Sequence, residues 1–142
     1  MKLDPQLEAS MTTLTLRSSL HDAKKPERAI LREVRDCGYC EDDTFAIKLA
    51  LEEAIINAVK HGNRNDESKQ ITVRFCVTPE MAVILVRDEG DGFEPCAVPD
   101  PTSPERISLP HGRGIMLMRA YLTDVWYRAG GREVCLVKKR NA

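Results

Sequence analysis

The chain has 142 residues, 21 of them basic and 22 acidic, for a net charge of −1, a size that suits one domain with a core of its own. So even a balance gives no drive toward nucleic acid or an anionic membrane, and neither is expected as a partner. No run approaches the ~18 apolar residues of a membrane span, the opening Met1-Lys2-Leu3-Asp4-Pro5 lacks the apolar core of a signal peptide, and five cysteines, an odd number, suit a reducing compartment. A cytoplasmic location is expected.

In chain order, Thr12 to Leu16 carries the threonine–leucine alternation of a half-buried strand. From about His21 to Cys37 the apolar positions Ala29, Ile30, Val34 and Cys37 recur at helical spacing, with Gly38 as the stop. A longer helix is expected from about Asp43 to His61, with Glu41, Asp42 and Asp43 favouring its N-terminal dipole and Lys60-His61-Gly62 closing its end. Two strands follow, about Gln70 to Val77 and Met81 to Arg87, joined by Thr78-Pro79-Glu80. Periodicity then disappears between Gly92 and Gly112, a stretch holding Pro95, Pro99, Pro101, Pro104 and Pro110; at about 93–111 it reads as a mobile lid. A short helix from about Gly112 to Ala120 and a last strand pair, Asp124 to Ala129 and Glu133 to Lys139 around Gly130-Gly131, complete the reading. This order predicts a single α+β domain over 1–142, a two-layer sandwich with a mixed, mostly antiparallel sheet and helices on one face.

Three segments carry the chemistry. On the long helix Glu53 and Asn57 are four residues apart, about 40° apart in projection, with Ala46 and Ala50 continuing the stripe as the floor of a site. Glu52 aligns instead with Lys48 as a surface ion pair, which leaves Glu53 as the candidate base. An amide oxygen at Asn57 suits Mg²⁺, which takes few protein ligands beside substrate phosphates. In the second segment, Asp88-Glu89-Gly90-Asp91-Gly92, the Asp88 carboxylate can only accept hydrogen bonds and so suits the exocyclic amine of adenine, while Gly90 and Gly92 permit close backbone approach. In the third, Gly112-Arg113-Gly114 opens a helix, where free N–H groups and the dipole make a phosphate site; Arg113 and Lys60 are candidate phosphate cations. Cys37 and Cys40 form a lone C-x-x-C with no partner motif to complete a zinc shell. Trp126 and Tyr127 read as core or sheet-face residues.

In this order the three segments resemble the ATP-binding superfamily of DNA gyrase, mismatch-repair proteins and sensor histidine kinases, the GHKL or Bergerat-fold ATPases. The Glu53-Ala54-Ile55-Ile56-Asn57-Ala58 run through Lys60-His61-Gly62 looks like its N box, Asp88 to Gly92 its first glycine box and Gly112 to Gly114 its second. Within the superfamily the chain is most similar to bacterial anti-sigma-factor serine/threonine kinases. The resemblance implies ATP and Mg²⁺ as cofactors, Glu53 as catalytic carboxylate, Asn57 as Mg²⁺ ligand, Asp88 as adenine contact, and phosphates on Gly112, Arg113 and Gly114. It also implies two protein partners, a sigma factor held away from RNA polymerase and an anti-anti-sigma antagonist phosphorylated on serine or threonine. Members are commonly dimers, so a homodimer is among the implied assemblies. Two alternatives stand beside it: an ATP-binding regulatory module without phosphoryl transfer, and a histidine-kinase-type catalytic domain.

Overall fold

The computed structural model describes residues 3–92 and 118–141; the expected lid and the Gly112-Arg113-Gly114 segment lie outside them. Five strands, β1 (Thr12–Arg17), β2 (Gln70–Val77), β3 (Met81–Arg87), β4 (Asp124–Arg128) and β5 (Glu133–Lys139), form one sheet in the order β1-β2-β3-β5-β4. All four pairings among the described residues are antiparallel, in keeping with the mostly antiparallel sheet expected. Short connections make the β2–β3 and β4–β5 hairpins. Gly130 takes a left-handed φ of 66° in the second turn, a conformation that costs little without a Cβ.

Two helices, α2 (Lys24–Asp36) and α3 (Glu41–Asn57), lie on one face of this sheet. Helix α2 buries Ile30, Leu31 and Val34, and α3 buries Ile47, Leu51 and Ile55, against Ile71, Val73, Ile84, Val86 and Leu136 of the strands. Removing each such side chain from water contributes roughly 1.5–3 kcal/mol, so this interface holds the sandwich together. The start of α3 is anchored as well as capped. Asp43, expected to act on the helix dipole, is fully buried and accepts hydrogen bonds from the backbone N–H of Asn141 at 2.8 Å and its Nδ2 at 2.6 Å, with Lys138 Nζ at 3.6 Å.

Three features depart from expectation. A short helix, α1 (Pro5–Ala9), precedes β1, with Asp4 as its N-cap and proline in its first turn. It packs on the opposite face of the sheet: Leu3, Leu7 and Met11 cover Val83, Leu85, Cys135 and Val137. Glu8 there pairs with Arg74 and Arg128, which also pair with the buried Glu133, and hydrogen bonding from Arg128 holds the Glu8 carboxyl below its usual range. Five residues are too few for a periodic signal, which is why the helix was not legible. Next, α3 stops at Asn57 and continues as a π-helical turn, Ala58–Gly62, closed by Asn63 N–H donating to the Ala58 carbonyl at 2.8 Å.

Finally, no Lys48–Glu52 ion pair forms among the described residues. Glu52 faces Glu27 of α2, because its stripe on α3 turns toward the neighbouring helix rather than to open solvent. Burial first, then the Glu52 charge, raises the Glu27 carboxyl above its ordinary value. The sign follows from linkage: a carboxyl raised by folding carries no penalty while protonated in both states, and loses stability as pH rises above the unfolded value of about 4.3. Glu27→Gln is expected to stabilise the domain at neutral pH by ~0.2–1 kcal/mol, the scale of a like-charge contact. Thermal melts at acid and neutral pH check this, since the gain should vanish at low pH.

Candidate functional site

A cavity of about 280 Å³ opens where the end of α3 meets the sheet. Its wall is Ala54, Asn57, Ala58 and Gly62; Val86 and Val134 form the floor; Asp88, Asp91 and Gly92 come from the turn after β3, and Tyr127, Gly131 and Arg132 from the β4–β5 hairpin. Ala46 and Ala50, expected to leave room at the site, are instead buried within the sandwich. The cavity lies on the adjoining stripe of α3, which Ala54, Asn57, Ala58 and His61 line at helical spacing.

Asn57 is, beside His61, a polar residue of this wall. The Asn57 Nδ2 is buried and has no hydrogen-bond partner among the described residues, a state that costs about 1–3 kcal/mol unless a ligand relieves it. Because the amide oxygen and nitrogen are assigned from their surroundings, a half-turn of the amide presents either one to the cavity. An amide oxygen turned into the cavity fits a hard cation held chiefly by phosphates and water; among the described residues no group of three or more His, Cys, Asp or Glu is placed to hold a metal. Glu53 is half-buried and does not line the cavity; it is a further 40° or so around the helix from Asn57. Lys60 is exposed and likewise outside the lining, whereas His61 and Arg64 are within it. Across the mouth, Arg64 Nη2 lies 3.8 Å from Asp91 in an exposed pair.

Asp88 is clamped from three directions. The Gly90 N–H donates to its Oδ1 at 2.8 Å, its own N–H donates to the Arg132 carbonyl at 2.9 Å, and Gly62 backs its carboxyl so closely that a Cβ there would lie 2.2 Å from Oδ2. Gly90 in turn sits on the Gly62 carbonyl, where a Cβ would come within 1.9 Å of the oxygen. Gly92 combines a left-handed φ of 78° with a Cβ position 2.1 Å from the Gly130 carbonyl, so neither its conformation nor its space admits a side chain. Burial raises the Asp88 carboxyl, opposed chiefly by the Gly90 hydrogen bond.

Tyr127, read from sequence as a core or sheet-face residue, packs on the core and also lines the cavity; burial pushes its phenol up to about 12, which keeps it a neutral hydroxyl. Arg132 was not singled out in the sequence, yet its Nε donates to the Gly90 carbonyl at 2.7 Å. No local signal marks either residue, because both enter the site through pairing of β4 and β5. Gly112, Arg113 and Gly114 lie outside the described residues.

An antiparallel α+β sandwich with an acidic turn, an isolated helix amide and tightly apposed glycines around one cavity defines a domain of the Bergerat ATP-binding class. The family model described as "Histidine kinase-like ATPase domain" matches residues 17–138, and the chain belongs to that family. A serine-protein kinase RsbW of Bacillus licheniformis is 40% identical over 57 residues, which cover 40% of this chain and 36% of that protein. Another of that name, from Listeria monocytogenes serovar 1/2a, is 27% identical over 147 residues and 92% of both chains. The match thus spans about a third of the first relative's length and nearly all of the second's. Among solved structures, a Mycobacterium tuberculosis chain described as the RsbU and RsbW domains of one protein contains the same fold over 31% of its length, with a TM-score of 0.60 at 18% identity and 92% of this chain covered. No helix among the described residues is long and apolar enough to cross a membrane.

Proposed function

We propose that the chain binds Mg-ATP and is a serine/threonine protein kinase that acts as an anti-sigma factor, sequestering a sigma factor and phosphorylating an anti-anti-sigma antagonist. The observation that carries the reading is the buried Asn57 Nδ2, without a partner among the described residues, in the wall of the cavity that the clamped Asp88 also lines; the serine-protein kinase names of the relatives support the choice of reaction.

In this reading the Asp88 carboxylate accepts a hydrogen bond from the adenine amine and disfavours guanine, which offers a carbonyl there. Asn57 would hold Mg²⁺ through its amide oxygen, and the ion when bound neutralises phosphate charge. Gly112, Arg113, Gly114 and Lys60 are the proposed phosphate contacts. Glu53 accepts the proton of the antagonist's hydroxyl as its oxygen bonds to the γ-phosphorus and the bond to the ADP oxygen breaks. A phosphoryl group brings about −1.5 to −2 charges at neutral pH, enough to separate the antagonist from the kinase.

The placement of Glu53 outside the cavity lining favours a second reading, an ATP-binding regulatory module that transfers no phosphate. Incubation with labelled ATP and a candidate antagonist separates the two: label on the antagonist supports the kinase, and bound ATP without transfer supports the module. Binding itself is tested by thermal unfolding. At 100-fold saturation Mg-ATP should stabilise the domain by about 2.7 kcal/mol, a gain that Asn57→Ala should remove; no shift with any nucleotide overturns both readings.

A pH dependence follows. Adenine needs the ionised Asp88, whose carboxyl is raised by burial, so ATP affinity should fall as pH is lowered. The fall should set in above the ordinary aspartate value of about 3.9. Calorimetric titrations across the acid range check it, and in Asp88→Asn the dependence should flatten.

A further inference from the structure

Asn63, one residue beyond the π-helical turn, has no exposed surface. Its Nδ2 donates at 3.1 Å to both the Ser18 hydroxyl and the Gln70 carbonyl, and its Oδ1 accepts from the Glu89 N–H at 2.8 Å. One amide therefore joins the segment after β1, the start of β2 and the turn that carries Asp88. A second link ties the same turn to β2, because the Glu89 carboxylate accepts from the Gln70 N–H.

This arrangement matters for where the Asp88 carboxylate points. Its side chain is fixed by the Gly90 N–H, and the Gly90 backbone is positioned by the peptide of Glu89 that Asn63 grips. Gly62, the neighbour of Asn63, supplies the surface against which both the Asp88 carboxyl and Gly90 rest. The site needs two donors and an acceptor on one short side chain. Aspartate lacks the donors when ionised, serine cannot span three partners, and an apolar residue would leave the Glu89 N–H and Gln70 carbonyl unsatisfied in the interior.

We propose that Asn63 is a positioning residue that aims the Asp88 carboxylate and thereby sets the preference for adenine over guanine nucleotides. The proposal rests on the nucleotide reading of the cavity and adds a residue outside the cavity lining to it. A carboxylate held in one direction accepts from the adenine amine and opposes the guanine carbonyl; a swinging carboxylate discriminates less.

The test is the ratio of ATP to GTP dissociation constants, measured with fluorescent analogues of both nucleotides on the full chain. The variants are Asn63→Ala, Asp88→Asn and the double variant, with Ser18→Ala as a milder change that removes one anchor of the amide. Asn63→Ala should lower the ATP preference by about tenfold, the scale of one discriminating hydrogen bond, and Ser18→Ala should lower it less. In the Asp88→Asn background, Asn63→Ala should leave the ratio where Asp88→Asn alone put it, since residues acting through one group are not additive. A purely structural role would reduce the melting temperature and leave the ratio unchanged. An unchanged ratio in folded Asn63→Ala, or in Ser18→Ala if the first does not fold, overturns the proposal while the nucleotide site stands. A wild-type chain that binds neither nucleotide removes the underlying reading, and the proposal with it.

Discussion

Glu53→Gln is expected to lower phosphoryl transfer by about 10²–10⁴-fold, the usual contribution of a positioned general base, while leaving the ATP dissociation constant unchanged. The separation follows from geometry. Glu53 is on α3 one turn before Asn57 but does not line the cavity, so removing its charge takes nothing from a nucleotide seated there. Glutamine retains the shape and the hydrogen-bonding oxygen and loses only the capacity to take a proton. Single-turnover transfer to the antagonist, beside an equilibrium ATP titration, reads the two quantities apart. Full transfer by the variant would remove Glu53 from the mechanism; a matched loss of ATP affinity would make it a binding residue.

Gly90→Ala should abolish nucleotide binding. The new methyl would lie 1.9 Å from the Gly62 carbonyl oxygen, and neither partner is a flexible side chain that swings aside. Overpacking of this kind costs about 1–3 kcal/mol, and the displacement falls on the turn that orients Asp88. A useful contrast is Gly38→Ala. Gly38 has a left-handed φ of 79° but its nearest Cβ neighbour is 4.0 Å away, so the substitution carries only the backbone cost of about 1–2 kcal/mol. Both variants should melt earlier, but only the first should lose ATP. Equal ATP binding by the two would show that the Gly62–Gly90 contact does not shape the cavity.

The layout of the fold was legible wherever one element carried its own pattern. Period and end signals located α2 and α3, and the Thr78-Pro79-Glu80 and Gly130-Gly131 turns located the hairpins. Asn57, Asp88 and Gly92 do line one cavity, because the helix end and the turn after β3 meet there. What local pattern could not supply was contact between distant segments. Glu52 is at the right spacing from Lys48 for an ion pair, yet packing of α2 on α3 brings it to Glu27 instead. Tyr127 and Arg132 reach the site only through the β4–β5 hairpin, and Asn63, a polar residue after a helix stop, looks like any loop asparagine until its three partners are seen. The π-helical turn was hidden for a related reason: Ala58 to Gly62 has an ordinary helical composition, and the wider turn is set by where Asn63 is held.

That wider turn also limits how the chain tolerates changes in length. In a surface loop, adding or removing a residue is usually absorbed by slack. Between Asn57 and Asn63 there is none, because the first faces the cavity and the second is tied to β2 and to the turn after β3. Deleting one residue there would let an ordinary helical turn form but would shift Gly62 out from behind Asp88. Segment swaps with a related chain should therefore carry 57–63 as one unit, together with the 88–92 turn it supports.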